Sequence, residues 1–531
     1  MAEASGLTSR RLRLAPAVAV AVIALCVLSC AGSALAAETK QSLLARLGSA
    51  DLASWPAAID GLDALGADDV SEFLLAPAVV PDTPPEIRDR ALAALRRVHE
   101  RCAEPGEPWQ PPTRGEAVAR ITHRLDRVLW APTSPDVEHD RARGDAVRMR
   151  EALHLARDLM ALGATDPETV RLVLLARLEA LRGPTPGTVP PDFEPGQLAA
   201  VLTGPDGLDI EAVADVLDLA ASRGLFTAAA AAARGLEEAA LPPDHPLDTP
   251  AAPLPPAVRQ ALVRALAVPD AELQFAAART LALAASPPPW PGSSRVVATL
   301  VHAATATGSD RVVVAHHDAD IAHEIAAGVS RFGYRPTVVS TGRAAVLAAR
   351  DHADTVLVIL GARIVKPSAF ETVQFIQEQP HGDIPPVLVV VDPFDDLPRG
   401  PFLTKSILKF SRIPCVALVD RMESFFIPSI DANTGAELAP ARFPQTLEDV
   451  AGPAAASADG RTARAAHRLD RGRQAATLLA ILHRRDWDIP ADVRGRLGLV
   501  AARRRPAGYN QPAFTPPPPA PADAALSEPT R

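Results

Sequence analysis

The stretch Arg311–Ala349, RVVVAHHDADIAHEIAAGVSRFGYRPTVVSTGRAAVLAA, decides the fold of the second half of this chain. Its first residues, Arg311-Val-Val-Val-Ala315, form an apolar run that breaks into His316-His317-Asp318-Ala-Asp320. Apolar residues then recur at helical spacing until Phe332-Gly333-Tyr334, where glycine punctuates the chain. A second short run, Thr337-Val-Val339, follows, and Thr341-Gly342-Arg343 opens an Ala-rich helix. Further runs at Asp354–Leu360, Pro386–Val391 and Pro414–Val419 are continuously apolar, which suits parallel strands covered on both faces. Strand and helix thus alternate over residues 309–422, the pattern of a doubly wound α/β unit.

These residues resemble the start of a response-regulator receiver domain. The resemblance implies a flavodoxin-like parallel sheet of order 2-1-3-4-5, with ligands at the C-terminal ends of the strands. Receivers carry an acidic, metal-binding pair after the first strand and a phosphorylated Asp after the third. At those places this chain has His316-His317 and Ile359-Leu-Gly361. Asp392 falls near the usual Ser/Thr, and Asp420-Arg421 falls where the receiver Lys belongs. The resemblance therefore implies a pseudo-receiver, with the fold kept and phosphotransfer lost. Mg²⁺ requires oxygen ligands and is poorly served by imidazole. Two imidazoles with nearby carboxylates suit a transition metal instead. His316, His317, Asp318 and Asp392 are accordingly the candidate metal ligands, with Asp320, Asp395 and Asp396 on the same edge. A competing reading is purely structural. Adjacent residues at a strand end point different ways, so one His faces the cleft, and Asp318 or Asp320 caps the helix that contains His323.

Residues 37–288 read as helical, with Leu, Ala and Arg at a period of three to four between Pro-containing loops. Helix starts share a phrase: Pro85-Glu86-Ile87-Arg88, Pro167-Glu168-Thr169-Val170-Arg171 and Pro256-Ala257-Val258-Arg259. Proline is tolerated in the first turn because its missing N–H would be unpaired there. An early Glu suits the positive end of the helix dipole, and Asp166 is a good N-cap. The unit Leu254–Ser286, two helices around Val268-Pro269-Asp270, resembles a HEAT repeat. The resemblance implies an all-α solenoid in which each unit is stabilised by its neighbours. The spacing is too irregular for a regular array.

Residues 289–308 read as a linker and a bridging helix, and 423–457 as an appendage with a possible hairpin turn at Asp431-Ala-Asn-Thr-Gly435. Helices are expected over 458–505 and a Pro-rich disordered tail over 506–531. The phrase Ala463-Arg464-Ala-Ala-His467-Arg-Leu-Asp-Arg471 echoes Ala119-Arg120-Ile-Thr-His123-Arg-Leu-Asp-Arg127. It is either a duplicated helix type or a coincidence of an Arg/Ala/Leu-rich chain, and coincidence is the reading favoured. Residues 1–36 have the basic start, uncharged stretch and Ala34-Leu35-Ala36 of an export signal. Cleavage after Ala36, lipidation at Cys30 and retention as a membrane anchor all fit, and each places the bulk of the chain in the periplasm or cell envelope. Cys102 and Cys415 are expected to be buried thiols, with a long-range disulfide as the alternative.

The 531 residues are 48% hydrophobic and carry a net charge of -9, which disfavours a nucleic-acid partner. No Gly-x-Ser-x-Gly, phosphate-binding Gly loop or His-Glu-x-x-His occurs. No cofactor is expected. The expectation is a non-enzymatic exported scaffold with protein partners, using HEAT-like helices and a pseudo-receiver docking module. The alternative is a metal- or small-ligand-binding sensor or enzyme working at the edge around His316, His317 and Asp392.

Overall fold

The computed structural model describes residues 40–65, 71–102, 108–130, 138–180, 210–241, 253–284, 288–390, 416–419, 429–430, 437–439, 443 and 458–497, apart from 41, 48, 50 and 381. The export signal, Asp392, Asp395, Asp396, Cys415, Asp420-Arg421, the Asp431 turn and the C-terminal tail lie outside them. The chain combines a mostly helical body with a parallel α/β unit, the mixed class expected from the sequence.

The helical body contains α1 (Trp55–Leu65), α2 (Ser71–Val79), α3 (Pro85–Cys102), α4 (Arg114–Trp130), α5 (Glu138–Ala161), α6 (Pro167–Ala180), α7 (Ile210–Ser222), α8 (Phe226–Ala240), α9 (Pro256–Ala265), α10 (Ala271–Ala284) and α11 (Ser293–Ala303). The proline phrases do begin α3, α6 and α9. Asp166 Oδ1 accepts the Thr169 N–H at 2.9 Å, and Asp270 Oδ1 accepts that of Leu273 at 2.7 Å. Helices pack on the next in sequence and on the next but one. One row runs α2–α4–α6–α8–α10, with α7 and α9 packed beside it. The apolar stripes meet in one continuous core that runs from Leu43 to Ala303 and takes in the Ala-rich face of α8. Cys102, expected to be buried, is exposed at the C-terminal end of α3. No described helix is long and apolar enough to cross a membrane.

The α/β unit contains β1 (Arg311–Ala315), α12 (Ala319–Arg331), β2 (Arg335–Val339), α13 (Gly342–Arg350), β3 (Thr355–Gly361), α14 (Ala369–Gln377), β4 (Val387–Val390) and β5 (Val416–Val419). The sheet order is β2-β1-β3-β4-β5, all parallel. Alternate residues of the central strands feed two separate cores. Val312, Val314, Leu357, Ile359 and Leu388 face α12, while Val313, Ala315, Val358, Leu360 and Val389 face α13 and α14. Burial on both faces explains why these strands read as unbroken apolar runs. A short antiparallel pair, β6 (Ser429–Ile430) with β7 (Glu437–Ala439), follows.

Two further helices, α15 (Ala458–Arg484) and α16 (Ala491–Arg496), complete the described chain. They do not stand apart. Ala475, Leu478, Leu479 and Leu482 of α15 join the core of the helical body, as does Trp487, whose ring meets Trp290 edge-on at 5.9 Å.

Candidate functional site

The C-terminal edge of the sheet carries the residues singled out from the sequence. His316 directly follows β1 and is buried. Its Nδ1 lies 3.1 Å from the Asp318 backbone N–H, and its ring stacks on that of His317 at 4.5 Å. The His316 ring also packs against Gly361. A Cβ at Gly361 would approach His316 Cδ2 to 2.3 Å, so only glycine fits beneath the imidazole. Gly361 therefore stands at the end of β3 for a steric reason, since His316 occupies the space that its side chain would need.

Asp318 serves the helix instead. Its carboxylate caps α12, accepting the N–H groups of Asp320 at 2.9 Å and Ile321 at 3.3 Å. His323 is exposed and its Nδ1 lies 2.6 Å from the Ala319 carbonyl, within its own helix. Asp392 lies outside the described residues. Among the described residues, no group of three His, Cys, Asp or Glu side chains is arranged to hold a metal ion.

The opposite, N-terminal edge carries a buried charge network for which the sequence reading had no role. Helix α15 presents Arg461, Arg464, Arg468 and Arg471 at spacings of three, four and three, which places them on one face. Each meets the α/β unit or the helical body. The Arg461 guanidinium lies over the Tyr334 ring, 5.1 Å from its centre, just before β2. Arg464 Nη2 is 3.9 Å from Asp310, which precedes β1. Arg468 hydrogen-bonds Asp310 and holds its Nε 3.5 Å from Asp354, which precedes β3. Arg471 Nη1 is 3.3 Å from Glu272 in the first turn of α10, which also receives Arg234 and, at 2.8 Å, His467.

The acids are themselves held in place. Asp354 accepts the Thr307 hydroxyl at 2.7 Å and the Thr307 N–H. A second weld joins α10 to the loop before β4. Asp383 Oδ1 accepts the Ala271 N–H at 2.8 Å, and the buried Gln274 side chain bridges the Val268 and Pro380 carbonyls and the Gly382 N–H. Close packing completes the joint. A Cβ at Gly472 would sit 3.0 Å from the Ala303 carbonyl oxygen, and one at Gly308 would sit 3.2 Å from Leu469.

The electrostatics follow from burial. Desolvation pulls the Arg464 and Arg471 guanidinium groups below their usual range, with nearby acids partly offsetting it. Burial likewise raises the Tyr334 phenol. A cavity of about 190 Å³ opens at the joint, lined by Thr299, His302, His352, Arg464, Arg468 and Arg471. The arginines around it are matched by Asp310, Asp354 and Glu272, so the arrangement fastens two parts of the chain and offers little net charge to a ligand. The signal for it was in the sequence: an arginine stripe at helical spacing, and one Asp immediately before each of two apolar runs.

A separate polar pair is buried inside the helical body. His154 Nε2 lies 3.4 Å from Asp158 Oδ2, one turn apart on α5. Burial first, and Arg157 second, lower the imidazole pKa to about 3. Burial raises the carboxyl to about 8 against the opposing pull of Arg157. Burial thus favours the uncharged imidazole and the protonated carboxyl. Comparison with protein-family models, with curated proteins and with solved structures finds no match for this chain.

Proposed function

We propose that this chain is a non-enzymatic interaction protein of the cell envelope, in which a HEAT-like helical body holds a pseudo-receiver unit as a docking module. The observation that carries the reading is the α15 joint. One helix buries apolar residues in the helical body, aims Arg461, Arg464 and Arg468 at the N-terminal ends of β1, β2 and β3, and ties Arg471 to Glu272 of α10. A joint of buried, oppositely charged groups holds two surfaces in a fixed relation, which is what a scaffold needs. The row α2–α4–α6–α8–α10 supports the HEAT-like part, since each helix leans on its neighbours as solenoid units do. The His316 ring over Gly361 supports the pseudo-receiver part, because that packing fills the edge where a receiver's chemistry would sit.

The test is recovery of a partner. The full chain, immobilised and exposed to membrane and envelope fractions, is expected to retain a specific protein. Asp310→Asn with Asp354→Asn, which breaks the joint, is expected to weaken that retention while leaving the helical signal in circular dichroism. Retention of nothing specific by the wild-type chain overturns the reading.

A further inference from the structure

The face of the α/β unit away from the helical body carries apolar side chains that its own fold does not use. On α13 the inward residues are Ala345 and Ala349, which pack on the sheet, and on α14 they are Val373 and Ile376. Leu347 of α13 and Phe375 of α14 point the other way and are 38% and 51% exposed. Val365, in the loop that leads to α14, is 54% exposed. Leu347 and Phe375 line one groove and so form a shared apolar surface, whereas single exposed residues would need no explanation.

The two helices pack against each other and leave a groove of about 430 Å³ between them. Its lining is Val346, Leu347, Pro367 and Phe375, with Arg343 and Lys366 at one end. Neither of those cationic side chains makes an ion pair or hydrogen bond among the described residues. Elsewhere the described arginines are largely matched: Arg90, Arg97, Arg124, Arg171, Arg223, Arg264 and Arg279 all meet carboxylates. The nearest acid on the groove's own helix, Glu371, is occupied in the cap of α14, where its carboxylate accepts the N–H and hydroxyl of Ser368. Glu378 lies past Phe375 at the C-terminal end of α14 and does not line the groove, so the charge of the groove lining is cationic.

The geometry points to the α13–α14 groove as a docking site for an acidic amphipathic helix of a partner protein. The partner's large apolar side chains would lie on Leu347 and Phe375, and its carboxylates would meet Arg343 and Lys366. Such a helix lays one apolar stripe into a groove and reads charge at the rim. Rim charges of this kind set partner choice and association rate more than raw affinity. The inference rests on the reading of the α/β unit as a docking module and names its surface.

The experiment uses the full chain and three labelled synthetic peptides read by fluorescence anisotropy. The first is an amphipathic helix with Leu and Phe on one face and Glu on the other. The second replaces every Glu by Lys, and the third scrambles the first. The first peptide is expected to bind in the micromolar range, with the other two at least tenfold weaker. Phe375→Ser and Leu347→Ser are each expected to weaken it about tenfold. Arg343→Glu with Lys366→Glu should weaken it as much and reverse the preference between the Glu and Lys peptides. Equal binding of all three peptides, or wild-type binding by the Phe375→Ser and charge-reversed chains, overturns the inference. So does a wild-type dimer in sedimentation that Phe375→Ser converts to monomer, because a second copy then covers the groove. If the envelope partner is still retained by the groove variants, the groove assignment fails while the scaffold reading stands.

Discussion

Helices α4 and α15 share a nine-residue phrase and use it in opposite ways. In α4, Ile121 and Leu125 are fully buried with Val128 and Leu129, while Arg127 is exposed. In α15 the positions of Ile121 and Thr122 are taken by Ala465 and Ala466, the position of Leu125 by the half-buried Leu469, and Arg468 and Arg471 are buried. The apolar stripe of α4 begins with Ala117 and runs through the phrase. That of α15 starts only after it, at Ala475. Where the phrase itself carries the stripe, Arg127 stays in water and Arg124 pairs with Glu151 at the edge of the stripe. Where the stripe starts later, the phrase turns its arginine face inward, and it can do so because Asp310, Asp354 and Glu272 are waiting. A shared motif therefore fixes helix and charge, and the neighbours decide which face is core.

The largest expected effect tests the buried arginines directly. Arg468→Ala leaves Asp354 buried without its cation and Asp310 with only Arg464 at 3.9 Å, and is expected to destabilise the chain by about 3–5 kcal/mol. Urea denaturation should show it, preceded by a separate transition if the joint opens first. A variant as stable as wild type would break the contrast between the two helices.

The other end of the sheet offers the next test. Gly361→Ala forces a methyl group into the His316 ring and should cost about 1–3 kcal/mol, as overpacked cores do. The double variant Gly361→Ala/His316→Ala should recover most of that loss. Failure of the rescue would mean that the imidazole is not what keeps the position glycine.

The third test asks how α5 handles the buried His154–Asp158 pair. A carboxyl whose pKa is raised when folded contributes most below its usual 3.8 and loses that as pH rises through about 8. An imidazole whose pKa is depressed contributes above its usual 6.5 and loses that as pH falls towards about 3. The folded His154–Asp158 pair holds one proton between those limits, and the unfolded pair holds one between 3.8 and 6.5. Stability should therefore be flat in that inner window and fall by about 1.4 kcal/mol per pH unit from 6.5 towards 8. Denaturation midpoints on either side of that window measure the slope, and Asp158→Asn should abolish it. The smallest effect is Arg127→Ala, expected to change stability by less than about 0.5 kcal/mol because that residue is exposed. Its counterpart Arg471→Ala should cost clearly more, although Arg234 and His467 remain on Glu272. Thermal denaturation of the two variants side by side checks the difference.

Much of the architecture was legible because local rules are strong here. Proline-led helix starts at Pro85, Pro167 and Pro256, Asp caps at Asp166 and Asp318, and unbroken apolar runs at Val312–Val314 and Leu357–Leu360 all report local structure directly. The edge around His316 was legible in part. The competing roles of Asp318, ligand or cap, could be written down, but choosing between them required the N–H groups of Asp320 and Ile321 in place. The arginine stripe was visible as spacing only. An arginine on a helix face is most often solvated, and nothing within 458–484 tells that its acids lie about 110 to 200 residues away.

By itself the sequence determined much of the element order: the helix–strand alternation, where the proline-led helices begin, and that the central strands are covered on both faces. Those properties depend on backbone hydrogen bonding and on periodicity within about a dozen residues. Tertiary structure alone decided which residues carry the charge joint, why Gly361 has no side chain, and which apolar residues of α13 and α14 are left facing water. Burial and electrostatic pairing depend on what other segments bring near, and desolvation makes that proximity count far more inside the fold than along the chain.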